Sequence, residues 1–283
     1  MRNPLLRGRE AASKGRAGPF APVALLALFV VLALAVGCGQ PPRPATPLTV
    51  SASGEHVSLA GSLAAGFNAS QRAITATVVT VRERQLAGSV VSNTQAVALG
   101  YPLSPAGAFS QTVFALDPLA VTVAFTNPVG ALTQAQVREI YAGRVENWAE
   151  LGGRDGAVMP FSREVGAESR MAFERWALGD GTRLTRNALI VSTDRGMVES
   201  LESTPGGIGY ALLRALSPNV RPLRLDGEPP SAAAVQQGRY PLVLPVAAIT
   251  AGPPSDGAAA FVAYLRGRQG QTIIQSAGLV AAR

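Results

Sequence analysis

One histidine and one cysteine are all that this 283-residue chain offers to imidazole or thiol chemistry. Zinc centres built from His/Cys clusters need several such ligands, so they are excluded. A Ser-His-Asp arrangement would depend wholly on His56, and carboxylates are the only other conventional bases, so no catalysis, metal or cofactor is expected. The cations are more informative. Beyond Lys14 every basic residue is arginine, a bias that genome composition alone can produce. It also equips the chain with planar, permanently charged donors suited to oxyanions.

The positions of these residues depend on where the folded part begins. Arg2, Arg7, Arg9, Lys14 and Arg16 precede an apolar run from Ala21 to Val36 that Pro22 alone interrupts. The run is shorter than the roughly 20 residues a membrane-spanning helix needs. It ends in Ala35-Val36-Gly37-Cys38, which resembles a bacterial lipobox. Residues 1–37 are therefore expected to be a signal peptide, with Cys38 diacylated after cleavage; two acyl chains anchor stably where one does not. Residues 38–47 contain Gln40 to Pro47, a Pro-rich tether. The leader carries five of the 25 basic residues and one of the 18 acidic ones, leaving a charge of +3 on the remainder. With no basic run or basic-aromatic interleaving, nucleic acid is not an expected partner. The lone Cys38 also rules out an internal disulfide.

Past the tether the chain alternates between β-branched and amphipathic stretches. Leu48–Ser51 reads as a strand, Val57–Asn68 as a helix with Leu59, Leu63 and Phe67 on one face, and Thr75–Val81 as a strand. Glu83–Val90 suits a helix and Gln95–Leu99 a buried strand. Leu119–Phe125 is a further apolar strand. Thr133 and Gln136 form a capping-box pattern ahead of Val137, Ile140 and Tyr141. Ser169–Leu178 is a helix by its Phe173, Trp176 and Ala177 spacing. Ile190–Thr193, Met197–Leu201 and Ile208–Ala211 follow as strand, helix and strand. Leu225–Gln237 reads as loop, Tyr240–Val246 as a segment crossing back, and Ala258–Arg266 with Gly270–Ala277 as closing helices. Such alternation predicts an α/β fold with a largely parallel sheet.

Three stretches, in matching order and spacing, carry a family resemblance. Leu132–Gly153 (LTQAQVREIYAGRVENWAELGG), Arg163–Phe173 (REVGAESRMAF) and Thr204–Tyr210 (TPGGIGY) resemble segments of the phosphate-binding, PstS-like proteins of ABC importers. The resemblance implies the type 2 periplasmic-binding-protein fold: two α/β lobes, a central cleft and two crossover segments. Lobe 1 would hold residues 48–119 and 240–283, and lobe 2 residues 120–239. Hinges are expected near Leu116–Val121 and Tyr240–Pro245. Thr204–Tyr210 reads as architectural, and Trp148 and Tyr141 as core.

The implied site lies at two helix starts, where free N–H groups and the helix dipole favour an anion. On one side stand Ser53 and Gly54, after Ala52. On the other stand Gly166, Ala167 and Ser169, with Arg163 or Arg170 as a bidentate partner. Capping alone is the competing reading for both serines, and a surface or interlobe ion pair for both arginines. Two departures stand out: Ala167 occupies the family's Ser position, and Glu168 the place of a Gly, where its carboxylate either enters the anion loop or points outward along the helix. The family's proton-accepting Ser-Asp element has no counterpart, its place reading Leu99-Gly100-Tyr101-Pro102-Leu103. By resemblance the chain is a monomeric, lipid-anchored receptor on the outer face of the cell membrane. It would hand an oxyanion, phosphate foremost, to an ABC permease. A molybdate, tungstate or sulfate receptor, or a sensor module with a degenerate site, are the alternatives.

Overall fold

Strand Thr46–Ala52 (β1) lies between two parallel neighbours, Ile74–Thr80 (β2) and Ala96–Gly100 (β3). The computed structural model describes residues 44–103 and 109–282; the leader and Cys38 lie outside them. β1 begins two residues inside the expected tether. Thr46 N–H bonds to Ala73 on the β2 side, and β3 engages β1 only from Thr49. The N–H that Pro47 lacks therefore has no ladder partner to lose. Helix Val57–Ser70 (α1) joins β1 to β2 and buries Leu59, Leu63 and Phe67, the face expected from the helical repeat. Among the described residues no helix is long and apolar enough to cross a membrane.

The main departure from expectation is Ser110–Ala124 (β4), a single strand of 15 residues. Polar Ser110-Gln111-Thr112 and the Asp117-Pro118 pair mask its first half, so only Leu119 onward reads as strand. Helix Gln134–Tyr141 (α2) is closed by the Thr133/Gln136 capping box. Met159–Arg163 (β5) follows, then helix Glu168–Ala177 (α3), strand Leu189–Val191 (β6), helix Asp194–Glu202 (α4) and strand Gly207–Leu212 (β7). Val243–Thr250 (β8) returns antiparallel to β3 and to the first half of β4. The second half of β4 pairs with β7. One mixed sheet results, ordered β2-β1-β3-β8-β4-β7-β5-β6, with Val220–Pro222 and Val280–Ala281 added beside β4. The β4 strand thus runs through both halves of the sheet, and the expected lobe boundary at Leu119–Ala120 falls inside it.

Leu225–Gln237 is not all loop. Arg224–Leu225 pairs with Ala131–Leu132, and Ala232–Gln236 is a helix capped by Ser231. Pro229-Pro230 directly before a capping serine suits a helix start, a signal that the polar composition obscures.

Buried aromatics hold the second half together. Phe173 stacks on Tyr210 at 4.0 Å between ring centres and lies 4.5 Å from Tyr141. The Thr204–Tyr210 turn is shaped by close approach: a Cβ on Gly206 would meet the Ala157 carbonyl oxygen at 2.4 Å. Because that obstacle is backbone, Gly206→Ala is expected to destabilise by about 1–3 kcal/mol, read by urea denaturation. An unchanged midpoint would refute the contact.

Candidate anion-binding cleft

The C-terminal ends of β1, β2, β3, β5, β6 and β7 empty into one cavity of about 870 Å³. They contribute Ser53–Glu55, Arg82–Arg84, Tyr101, Arg163, Ser192–Arg195 and Arg214. Ligands of open α/β sheets sit at this end of the strands. The two expected helix starts meet there: Ser53 and Gly54 before α1, and Gly166, Ala167 and Ser169 around the start of α3, all line the cavity.

Neither helix start is capped by a side chain. His56 and Ala167 hold the N-cap positions of α1 and α3 and make no side-chain capping bond. The capping-only reading therefore fails for both serines, and Ser169 lies within the first turn of α3 as its second residue. Gly166 has φ +91°, a left-handed conformation that glycine adopts without strain, and this turns the chain from β5 into α3. The first-turn N–H groups of an α-helix have no intrahelical partner; those of α3 lie on residues that line the cavity, while on the α1 side the lining is the Ser53–Glu55 turn ahead of the helix.

Arg163 is the central cation. It is only 4% exposed. Its Nη1 donates to Asp194 Oδ1 and, at 3.4 Å, to Ser169 Oγ, and its Nη2 donates to the Ser192 carbonyl at 3.0 Å. Glu55 Oε1 lies 3.9 Å from Nη2. Arg163 Nε is buried with no hydrogen-bond partner among the described residues. Burial raises the Asp194 carboxyl above its ordinary range, with Arg163 opposing. Tyr210 fixes the backbone here, its hydroxyl accepting from Arg163 N–H at 3.1 Å and bonding Ser162 Oγ at 2.8 Å. The TPGGIGY turn thus has an architectural part, Tyr210 propping the end of β5 from behind.

Arg170 is not brought to the cavity. Its Nε donates to Glu174 at 2.7 Å and its Nη1 to the Arg163 carbonyl at 2.8 Å, because the helical turn carries it to the far side of α3. It braces Arg163 rather than offering a free fork. Glu168 does face the cavity, and burial, then Glu83 and Glu55, push its carboxyl upward. His56 is fully buried, edge-on to Tyr101 with centroids 4.8 Å apart and its Nδ1 3.5 Å from Ser53 Oγ. Burial, helped by Arg214, lowers it to about 4, so it stays neutral and supports the wall. Glu55, Asp194 and Arg214 were not singled out by sequence. The Thr193-Asp194 capping pair was the available signal, since Thr193 caps α4.

A mixed sheet threaded by one long crossing strand, with a cavity at the strand ends, is the type 2 periplasmic-binding-protein fold. The chain belongs to that superfamily: the PBP superfamily domain model matches residues 54–268. Over 136 residues it is 29% identical to the phosphate-binding protein PstS of Bacillus subtilis, covering 48% of this chain and 45% of that one. The chain thus spans about half the length of the curated relatives it matches. A Clostridium perfringens structure with bound phosphate, of an ABC transporter substrate-binding type, has TM-score 0.73 at 21% identity, covering 84% of this chain and 100% of that one. An ABC-type phosphate transport receptor from Vibrio cholerae has TM-score 0.68 at 22% identity, covering 83% and 99%.

Proposed function

We propose that the protein is a lipid-anchored, extracytoplasmic solute receptor that closes on a tetrahedral oxyanion, phosphate foremost, and delivers it to an ABC permease without catalysis. The observation that carries this reading is the meeting of two uncapped helix starts and Arg163 in one cavity. The phosphate named for the Bacillus relative and bound in the Clostridium structure supports the choice of anion. Closure would bring the Ser53 and Ser169 sides together, with β4 near Leu116–Val121 and the Tyr240–Pro245 segment as hinges.

Calorimetric titration with phosphate, sulfate, molybdate and tungstate tests the ligand. Heat with phosphate is expected, and none with any of the four in folded protein would overturn the receptor reading. That result would favour the sensor alternative, which Glu168 in the cavity wall supports. Cys38→Ser tests the anchor: the protein should move from the membrane to the soluble fraction, and retention on the membrane would remove the lipid from the proposal.

A further inference from the structure

We propose that the preferred guest of this cleft is zwitterionic: a small phosphate ester or phosphonate that carries an ammonium group on a short spacer. The proposal rests on the oxyanion reading above and adds a second charge to its ligand. The anionic end takes the Arg163 side, where a guanidinium that is 95% buried keeps an Nε without a partner among the described residues, beside Ser169 and the first turn of α3.

The cationic end follows from three carboxylates. Glu55, Glu83 and Glu168 line the same cavity from three separate elements: the turn before α1, the turn after β2 and the first residue of α3. Among the described residues, Glu83 and Glu168 make no ion pair and accept no side-chain hydrogen bond. Glu55 accepts only from Tyr101 Oη at 3.4 Å and lies 3.9 Å from Arg163. Glu139, Glu174 and Glu199, by contrast, each meet an arginine within 2.7 Å. Burial raises Glu55, with Asp194 and Glu83 adding and Arg163 and Arg214 opposing, and burial, then Glu83 and Glu55, raise Glu168 against Arg175.

The cavity lining carries both signs, Arg82, Arg84, Arg163, Arg195 and Arg214 beside the three glutamates, and a guest that joins an ammonium to a phosphoryl group matches such a lining better than a bare oxyanion, which would be repelled by Glu168 on the first turn of α3. A metal ion is the poorer fit, since no group of three or more His, Cys, Asp or Glu among the described residues is placed to hold one. The cavity of about 870 Å³ also lies in the range of sites for small organic molecules, well beyond what one tetrahedral anion fills. The 3.9 Å between Arg163 and Glu55 sets the two charges side by side, which is why the spacer is short.

Titrating the protein with inorganic phosphate, ethyl phosphate and O-phosphoethanolamine tests this. The last two share an anion and differ in the ammonium, so O-phosphoethanolamine is expected to bind at least about tenfold more tightly. In the double variant Glu83→Gln/Glu168→Gln that preference should vanish while inorganic phosphate binds as well or better. Equal affinities for ethyl phosphate and O-phosphoethanolamine, with inorganic phosphate still bound, would reject the zwitterion and leave the oxyanion reading standing. Binding of none of the three by folded protein would reject both. A preference that survives the double variant would reject the carboxylate assignment, and the wild-type comparison stands even if the variant does not fold.

Discussion

Arg163→Ala is expected to abolish oxyanion binding and to cost about 3–5 kcal/mol of folding stability, the usual penalty for breaking a buried ion pair from one side. The Arg163 and Asp194 side chains are 5% and 10% exposed. Removing the guanidinium would leave the Asp194 carboxylate sealed without its counter-charge and Ser192 and Ser169 without a donor. Loss of binding in that variant alone would be ambiguous, because a loosened site and a missing ligand look alike. The Arg163→Ala/Asp194→Ala pair separates them. Deleting both charges removes the orphan, so stability should recover much of the loss, in the manner of a double-mutant cycle. Anion affinity should stay lost. Arg163→Lys should fall between, keeping the charge but losing the planar fork. Urea denaturation and calorimetry on the three variants decide the matter. A double variant that binds phosphate like the wild type would make Arg163 a purely structural cation.

How much of this was legible beforehand depends on the range of the interactions involved. Helices α1 and α2 are local matters of apolar spacing and capping, and both appear where the spacing places them. The α3 helix is offset by one residue, because Ala167 rather than Ser169 flanks it. The long β4 strand was half hidden because its polar first residues pair with β8, Ser110 with Thr250 and Thr112 with Ala248, and partners so far along the chain leave no trace in a local window. Asp117 shows the same limit: inside a strand beside Pro118 it looks like a breaker, yet Arg214 supplies the partner that lets it be buried.

The site divides in the same way. Its strand-to-helix turns were legible, because Gly166 and the small residues before α1 and α3 have a local meaning there. Its side-chain charges were not. Whether Arg163 or Arg170 faces the cavity depends on the rotation of α3 against β5, and in the structure Arg163 turns inward while Arg170 bonds along its own helix to Glu174. Glu168 left two directions open in the sequence, and only the fold shows that it lines the same cavity as Glu55 and Glu83.

The Asp117 contribution to folding stability is expected to grow as the pH falls from about 6 toward 4, against an opposing loss from His56, which burial holds at about 4 in the folded protein. This side chain is fully buried in β4; its Oδ2 accepts from Arg214 Nε at 3.0 Å, and its Oδ1 has no partner among the described residues. Burial pushes the carboxyl from 3.8 up to about 6, Arg214 pulling down against it and Asp194 and Glu55 adding to the rise. Arg214 itself is raised, Asp117, Tyr101 and Glu55 together outweighing the opposing effect of its burial. Taken from the arginine, the pair is favourable; taken from the aspartate, it is not. The aspartate decides, because it is sealed with a bare oxygen while the Arg214 side chain keeps 23% of its surface in solvent. Between the two values the folded chain holds a proton that the unfolded chain has released, so acidification favours folding. A rise from 3.8 to about 6 corresponds to on the order of 3 kcal/mol, absent above about pH 6 and fully gained below about pH 4. Asp117→Asn removes this group and leaves the other carboxylates in place. The unfolding free energy of the wild type minus that of the variant should therefore climb across that window when measured by urea denaturation at stepped pH. A difference that stays flat from pH 7.5 to pH 4 would mean that Asp117 is charged in the folded protein throughout, and that Arg214 holds the crossing strand to the cleft as a stable ion pair.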